Sequence, residues 1–423
     1  MNNISQKIVL AFKDQILRKR VGFTLLALVL FRLLAAIPIP GVDAANLSTL
    51  LGSSQFFGFL NIFSGGGLSN LSIVMLGVGP FITASIVIQL LTMMFPKWKT
   101  LMHDEGEAGR LKLSNYSRLL SVPLAILSAI GFLSLLQSQN IIPSLGVFSF
   151  SINVLVITGG SLLLMWIGEL ISEFGIGNGA SLIIFAGIVA SLPNTVTQLV
   201  AGYDVSNIPL YIVALVIGLV VIAGVVFITE AERSVPVTYA KQVRGNKVYG
   251  GASTYLPLRL NQAGVIPIIF ALSILLFPQI ISNFLSHVSN QTISHYATLF
   301  TSFFNNPWVY GSFYFILVVV FTYFYTAVTF DPKQISENLQ RSGAFIPGVR
   351  PGDHTRDHLA SIVTRITLVG ALFLGIVAVL PLIMQAFTSN KSLAIGGTAL
   401  LIVVSVVLDL LKKIDAQVSM REY

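Results

Sequence analysis

The chain has 423 residues, of which 54% are hydrophobic and only 10% charged, against about a quarter charged in an ordinary soluble domain, and its mean hydropathy is +0.84. Most of such a chain cannot face water, which excludes a soluble enzyme, a disordered tail and a fibre; it leaves an all-α polytopic membrane protein, whose helices satisfy their own backbone hydrogen bonds. The absence of cysteine removes disulfides and thiolate chemistry, and a net charge of +8 identifies no partner, because polytopic proteins gather Lys and Arg on the cytoplasmic side regardless.

A bilayer core needs roughly 20 apolar residues per helix, and ten such windows follow one another. The first runs from Val21 to Ile37 and contains Arg32, about 9 Å from Pro38 at 1.5 Å per residue, close enough to the outer surface to snorkel or to find a carbonyl. No cleavable signal peptide is expected ahead of it, since polar residues precede it and no small-residue cleavage site follows. After Ile37-Pro38-Ile39-Pro40-Gly41 the chain stays outside, then enters the run Asn61-Ile62-Phe63-Ser64-Gly65-Gly66-Gly67-Leu68-Ser69-Asn70-Leu71. That run is too short to span, and each of its glycines weakens a helix by about 1 kcal/mol. Irregular backbone at membrane depth is tolerated where it lines a cavity or is buried in protein, so the run is predicted to be a re-entrant, weakly held segment that fills a cavity from outside.

Windows Val74 to Phe95, Leu119 to Leu136, Ile152 to Gly168 and Ala180 to Tyr203 complete a first half, residues 1–205. Windows Ile208 to Thr229, Gln262 to Ser286, Pro307 to Phe330, Ile366 to Ala386 and Leu393 to Leu411 make a second, residues 206–423, with large loops at about 230–261 and 331–361. With the N-terminus in the cytoplasm, all of the 25 basic residues except Arg32 and Lys391 fall on that side or at its edge; both termini are therefore expected to be cytoplasmic. Trp98 and Trp308 fall at span ends, where an aromatic belt would lie.

Gly77-Val78-Gly79-Pro80-Phe81-Ile82-Thr83-Ala84 in the second window recurs as Gly264-Val265-Ile266-Pro267-Ile268-Ile269-Phe270-Ala271 in the seventh, with five of eight positions identical. A weaker echo links Gly179, Leu182 and Ile184 to Gly397, Leu400 and Ile402. Because each half has an odd number of spans, the second must cross the membrane inverted relative to the first, and a site is expected where the halves meet. Ile82 and Ile86 share a helical face, as do Ile184 and Ile188, and a ring of such side chains would be a constriction that excludes water and ions by dewetting.

The windows hold no mid-span carboxylate or histidine, which disfavours a proton- or sodium-coupled solute transporter. There is no phosphate-binding glycine-rich loop, no His-Glu-x-x-His pair and no Gly-x-Ser-x-Gly elbow, which disfavours a membrane-embedded enzyme. No cofactor and no metal site are expected, and any energy for transport must come from a partner. Gly348-Val349-Arg350-Pro351-Gly352 would hold one cation at a rigid loop tip, since proline fixes a dihedral and glycine permits a tight turn, and a guanidinium suits a carboxylate or phosphate.

Several motifs together resemble the SecY family of protein-conducting channels: Phe31-Arg32 with Ile37-Pro38-Ile39-Pro40-Gly41, Phe63-Ser64-Gly65-Gly66, Ile82 to Leu91, Glu105-Gly106-Glu107-Ala108-Gly109-Arg110, Gly175-Ile176-Gly177-Asn178-Gly179, Ala263-Gly264-Val265-Ile266-Pro267 and Ser342-Gly343-Ala344-Phe345-Ile346-Pro347-Gly348 with Arg350-Pro351-Gly352. The resemblance covers nearly the whole chain. It implies ten transmembrane helices in two inverted five-helix halves around an hourglass pore, with Asn61 to Leu71 as the plug. It also implies a pore ring of Ile82, Ile86, Ile188, Ile269 and Ile402, although the internal repeat offers Ile184 in place of Ile188, one turn away. A lateral gate with a polar cluster would map onto Thr83, Gln89 and Asn261. The two large loops would dock the ribosome and the translocation ATPase SecA, with Arg244, Lys247, Arg341 and Arg350 as candidates; the stretch Glu230 to Val235 is less basic than in many relatives. The small membrane subunits SecE and SecG, signal peptides, unfolded secretory chains and membrane lipids are the other implied partners, and the bacterial plasma membrane is the implied location. The activity implied is passage of unfolded chains across the membrane and sideways release of apolar segments into lipid.

Overall fold

A computed structural model of the chain describes residues 14–40, 61, 64–95, 98, 106–138, 142–143, 146–201, 208–239, 242–244, 247–249, 253–262, 264–285, 291–304, 306–388 and 391–419. They are mostly helical, and every apolar window lies on a helix. The first half carries α1 (Gln15–Leu34), α2 (Gly79–Met94), α3 (Gly106–Ser138), α4 (Val147–Phe174) and α5 (Gly179–Ala201). The second carries α6 (Ile208–Glu230), α7 (Ile266–Leu285), α8 (Gln291–Phe304), α9 (Pro307–Thr329), α10 (Pro332–Arg341), α11 (Asp353–Thr388) and α12 (Lys391–Ser419); α8 and α10 fall between windows. Gly106–Gln137, Val147–Phe174, Pro307–Arg341 and Asp353–Ile383 are long and apolar enough to cross a membrane by length and composition, while α2, α5, α6 and α7 carry shorter apolar stretches.

Helix bounds depart from the windows where proline and charge dictate. α2 starts at Gly79, with Pro80 in its first turn, where a residue without an N–H loses no hydrogen bond; residues 73–78 form turns instead. α3 and α11 begin well before their apolar windows, with Glu107 and Asp353 in their first turns, where a carboxylate meets the positive end of the helix dipole. The 36 residues of α11 extend roughly 54 Å, longer than a bilayer core of about 30 Å, and its first turns are polar.

One buried core draws on both halves, from Phe31 on α1 through Ile82, Leu164 and Ile183 to Ile269, Tyr314, Leu374 and Ile402. The halves meet where α7 packs against α2 and α3, and again where α12 packs against α5. At one end of α12, Lys412 pairs with Glu230 at 2.9 Å and also donates to the Thr229 carbonyl at 3.0 Å, while Asp409 pairs with Lys413 at 3.0 Å. Arg118 of α3 holds Glu169 of α4 at 2.6 Å.

The two large loops fold together. β1 (Glu232–Tyr239) leads into a short hairpin of β2 (Gln242–Arg244) and β3 (Lys247–Tyr249) and returns as β4 (Ser253–Arg259). β1 and β4 are antiparallel, from Glu232 opposite Arg259 to Thr238 opposite Ser253, and the other edge of β1 takes β5 (Ala344–Phe345). Side chains alternate along a strand, so Val235 and Val237 point inward and pack with Leu258, Ala344, Ile346, Leu359, Ile362 and Val363. This small core seats the sheet on the start of α11.

Candidate functional site

The segment after Asn61 is short-range structure buried among helices. Gly65 and Gly66 adopt φ 64° and 81°, a left-handed path that side chains disfavour, and the chain then makes a single 3₁₀ turn over Leu68–Asn70. Gly66 N–H donates to the Asn61 carbonyl at 2.8 Å, and Leu68 N–H donates to Ser64 Oγ at 3.0 Å. Ser64 through Leu68 and Leu71 are buried. Ile62, Phe63 and the side chain of Ser69 lie outside the described residues.

Two sets of contacts hold the segment. Ile39 N–H donates to Leu71 O and Ile73 N–H to Ile37 O, both at 2.9 Å, a one-rung bridge between the chain just after α1 and the end of the segment; Asn70 Nδ2 adds a bond to Ala35 O at 3.4 Å. Deeper in, Gly65 lies directly on α5: a Cβ added at Gly187 would overlap the Gly65 backbone, and one added at Gly65 would fall 2.6 Å from Phe31 Cζ and 3.2 Å from the Ile183 carbonyl. Arg32 is exposed, and its Nη1 lies 3.3 Å from where a Gly66 Cβ would stand.

Ile82 and Ile86 on α2, Ile188 on α5, Ile269 on α7 and Ile402 on α12 are all buried within one hydrophobic cluster, and Ile184 is buried in the same cluster. These are the helices through which the halves meet, and the carbonyl of Ile183, which neighbours Ile184, lies 3.2 Å from where a Gly65 Cβ would stand. The cluster is entirely apolar at these positions, so these side chains offer no hydrogen-bonding partner.

The polar residues do not converge. Thr83 Oγ1 donates to the Gly79 carbonyl one turn back at 3.1 Å, and Asn261, 5% exposed, donates from Nδ2 to the Gly264 carbonyl at 3.2 Å. Among the described residues Thr83 and Asn261 each bond a local carbonyl and not one another, and the side-chain oxygens of Asn261 and Gln89 are buried without a partner. Gln89 instead lines a cavity of about 330 Å³ with Thr92, Tyr323, Thr326, Asp331 and Thr367. Most of the hydroxyls on these helices close on their own backbone, as Thr92 does to Ile88 O at 2.8 Å, Thr322 to Val318 O at 2.7 Å and Thr364 to Ala360 O at 2.8 Å.

Around Arg350 the loop is pinned. Gly348 and Gly352 take φ 84° and 93°, Ser336 Oγ donates to the Gly352 carbonyl at 2.6 Å and Thr355 Oγ1 to the Arg350 carbonyl at 2.9 Å. The Arg350 side chain is exposed, and among the described residues nothing pairs with it. Arg356 is different: it binds Asp357 and Asp353, each at 2.9 Å, and the Asp357 hydrogen bond, followed by the charges of Asp357 and Asp353, raises its pKa above the ordinary value. Arg341 is exposed and lies 3.6 Å from Glu337. Arg244 and Lys247 face each other across the β2–β3 hairpin; their side chains lie outside the described residues.

Sequence reasoning missed Gly187 and Phe31 as seats for the buried segment. The available signal was a glycine between Ile184 and Ile188 in an apolar span, since small residues in membrane helices mark close backbone approach.

Comparison with known proteins places this geometry. Residues 72–411 match the SecY family model. The chain is 41% identical over 430 residues to the protein translocase subunit SecY of Mycobacterium bovis, covering 96% of both. Its fold is similar to a solved SecY, described by its plug domain stabilising the closed state of the translocation channel and maintaining a membrane seal, with TM-score 0.68 at 19% identity over 96% of this chain and 93% of that one. It is also similar to Sec61 in the canine ribosome-channel complex from the endoplasmic reticulum, with TM-score 0.64 at 18% identity over 96% and 93% of the two chains. With a family model spanning most of its length and this identity across nearly all of it, the chain belongs to the SecY family of protein translocase subunits.

Proposed function

We propose that the chain is the protein-conducting pore of a bacterial plasma-membrane translocase, passing unfolded secretory chains outward and releasing transmembrane segments into lipid. In this reading ten helices, α1 to α7, α9, α11 and α12 without α8 and α10, cross the membrane as two inverted halves, residues 1–205 and 206–423, with both termini in the cytoplasm. Asn61 to Leu71 is the plug, Ile82, Ile86, Ile188, Ile269 and Ile402 are the pore ring, and the seam near Thr83, Gln89 and Asn261 is the lateral gate. The observation that carries it is the buried isoleucine cluster at the junction of the halves, with a short, glycine-rich segment packed beside it.

An unfolded chain presents no fixed side chain to recognise, so its conduit should be apolar and yielding at its narrowest point. Branched aliphatic side chains can seal around any sequence without binding it. A segment apolar enough to prefer hydrocarbon would leave through the seam, so insertion becomes a partition between pore and lipid. The chain has no nucleotide-binding loop, and the driving force is assigned to SecA or the ribosome acting on the sheet and loops around Arg341 and Arg350, with SecE and SecG as membrane partners.

The test is cross-linking from a photoactivatable probe at Ile82 to a stalled secretory chain. Adducts that require the stalled chain are expected. Adducts to lipid alone would place Ile82 outside the path and overturn the pore assignment.

A further inference from the structure

α8 is an element that a conduit does not need, and its surface is divided into three parts. Its inner edge rests on α7: Ser282 Oγ donates to the Ala297 carbonyl at 2.8 Å and lies 2.8 Å from Thr301 Oγ1, and Ala297 is buried. A second face carries Gln291, His295, Thr298 and Ser302, all exposed and all polar. The third carries Tyr296, Leu299, Phe300 and Phe303, which remain 68%, 51%, 41% and 52% exposed, with exposed Thr292 at its start. At 100° per residue these four fall within one side of the helix. Four large apolar side chains left uncovered on 14 residues form the kind of contiguous patch that a water-facing loop avoids.

The surroundings identify the cover. Phe304 stacks on Phe313 of α9 with ring centroids 5.4 Å apart, so α8 adjoins the start of a stretch long and apolar enough to cross a membrane. There Trp308 and Phe313 are also exposed, and aromatic side chains gather at the level of lipid headgroups. A helix with one apolar and one polar face, attached to a membrane-crossing segment at its aromatic end, has the form of an interfacial helix lying in the plane of the bilayer. Its polar face has no Lys or Arg, so attraction to anionic headgroups contributes little and apolar burial must supply the affinity.

We infer that α8 is a membrane-surface anchor: Tyr296, Leu299, Phe300 and Phe303 insert into the acyl boundary of the leaflet at the α8–α9 end, while Gln291, His295, Thr298 and Ser302 stay wet. Through Ser282 the anchor fixes the end of α7 at a set height in the bilayer. The occupant of the apolar face is phospholipid.

The natural chain lacks cysteine, so single-site spin labelling reads this directly. Phe300→Cys, Phe303→Cys, Thr298→Cys and Ser302→Cys, each in the full chain reconstituted in phosphatidylethanolamine–phosphatidylglycerol vesicles, are labelled with a nitroxide. Collision rates with oxygen, which concentrates in lipid, and with a water-soluble nickel chelate are then measured. The oxygen-to-nickel ratio should be several-fold higher at 300 and 303 than at 298 and 302. Equal ratios with ready access to nickel at all four sites would mean a water-exposed helix, and low access to both reagents at 300 and 303 would mean a protein cover; either result overturns the inference.

Discussion

Replacing Gly187 by alanine adds one methyl group at the point where α5 meets the buried segment. An added Cβ there would overlap the Gly65 backbone, and because that neighbour is main chain it cannot rotate aside. Two effects oppose one another. Alanine improves helix propensity by about 1 kcal/mol, but α5 is helical whether the segment is seated or displaced, so this gain cancels from the equilibrium between those states. Overpacking costs typically about 2 kcal/mol and applies only to the seated state. At about 1.4 kcal/mol per factor of ten, the displaced population should rise about 30-fold. The assay is ion conductance of the purified channel in planar bilayers without substrate, with Gly22→Ala, where an added Cβ meets nothing within 4 Å, as the control. Unchanged conductance in Gly187→Ala, at matched insertion, would show that the segment does not seal against α5 and would refute the reasoning.

Deleting Asn61 to Leu71 should raise ion leak in the same bilayers while translocation of a model secretory protein continues; closed channels carrying no extra current would remove the plug assignment. Arg350→Glu should lower ATPase-driven import into inverted vesicles by tenfold or more, since a charge-assisted contact contributes about 2 kcal/mol, while Arg356→Glu, which loses two exposed ion pairs with Asp353 and Asp357, should do less; equal translocation by Arg350→Glu and wild type ends the docking role. Asn261→Leu leaves the Gly264 carbonyl without its amide donor, a bond of about 0.6 kcal/mol in a membrane, and should shift the partition of a graded series of test segments about threefold. An insertion curve that superimposes on the wild type would mark Asn261 as ordinary turn packing.

Apolar windows made every long helix legible in the sequence, because periods of roughly 20 uncharged residues have few other uses in a chain. Less was legible at the ends. α3 and α11 continue through charged residues that a hydropathy window rejects, and α2 starts late because the bend at Gly77 and the proline at 80 act on the backbone alone. The internal repeat marks Ile82 and Ile269 as equivalent, and more weakly Ile184 and Ile402, while the choice of Ile86 and of Ile188 over Ile184 rests on the family resemblance. Gly187 could not, since a glycine announces a close approach without saying what approaches. The polar cluster, named from the family resemblance, was the least legible part: the Thr83 hydroxyl and the Asn261 amide nitrogen each take a nearby carbonyl, and that choice is made over a few ångströms.

The self-closed threonines carry a mechanical consequence. When two helices separate and lipid replaces protein, any hydrogen bond between them must be broken in a medium that offers no substitute. Thr83, Thr92, Thr322 and Thr326 all satisfy their hydroxyls on their own helices, so parting α2 from α7, or exposing α9, leaves none of these donors unsatisfied. If the proposed gate opens there, these four threonines would behave as dry bearings: chemically polar, yet with no hydroxyl bond between helices to break and remake.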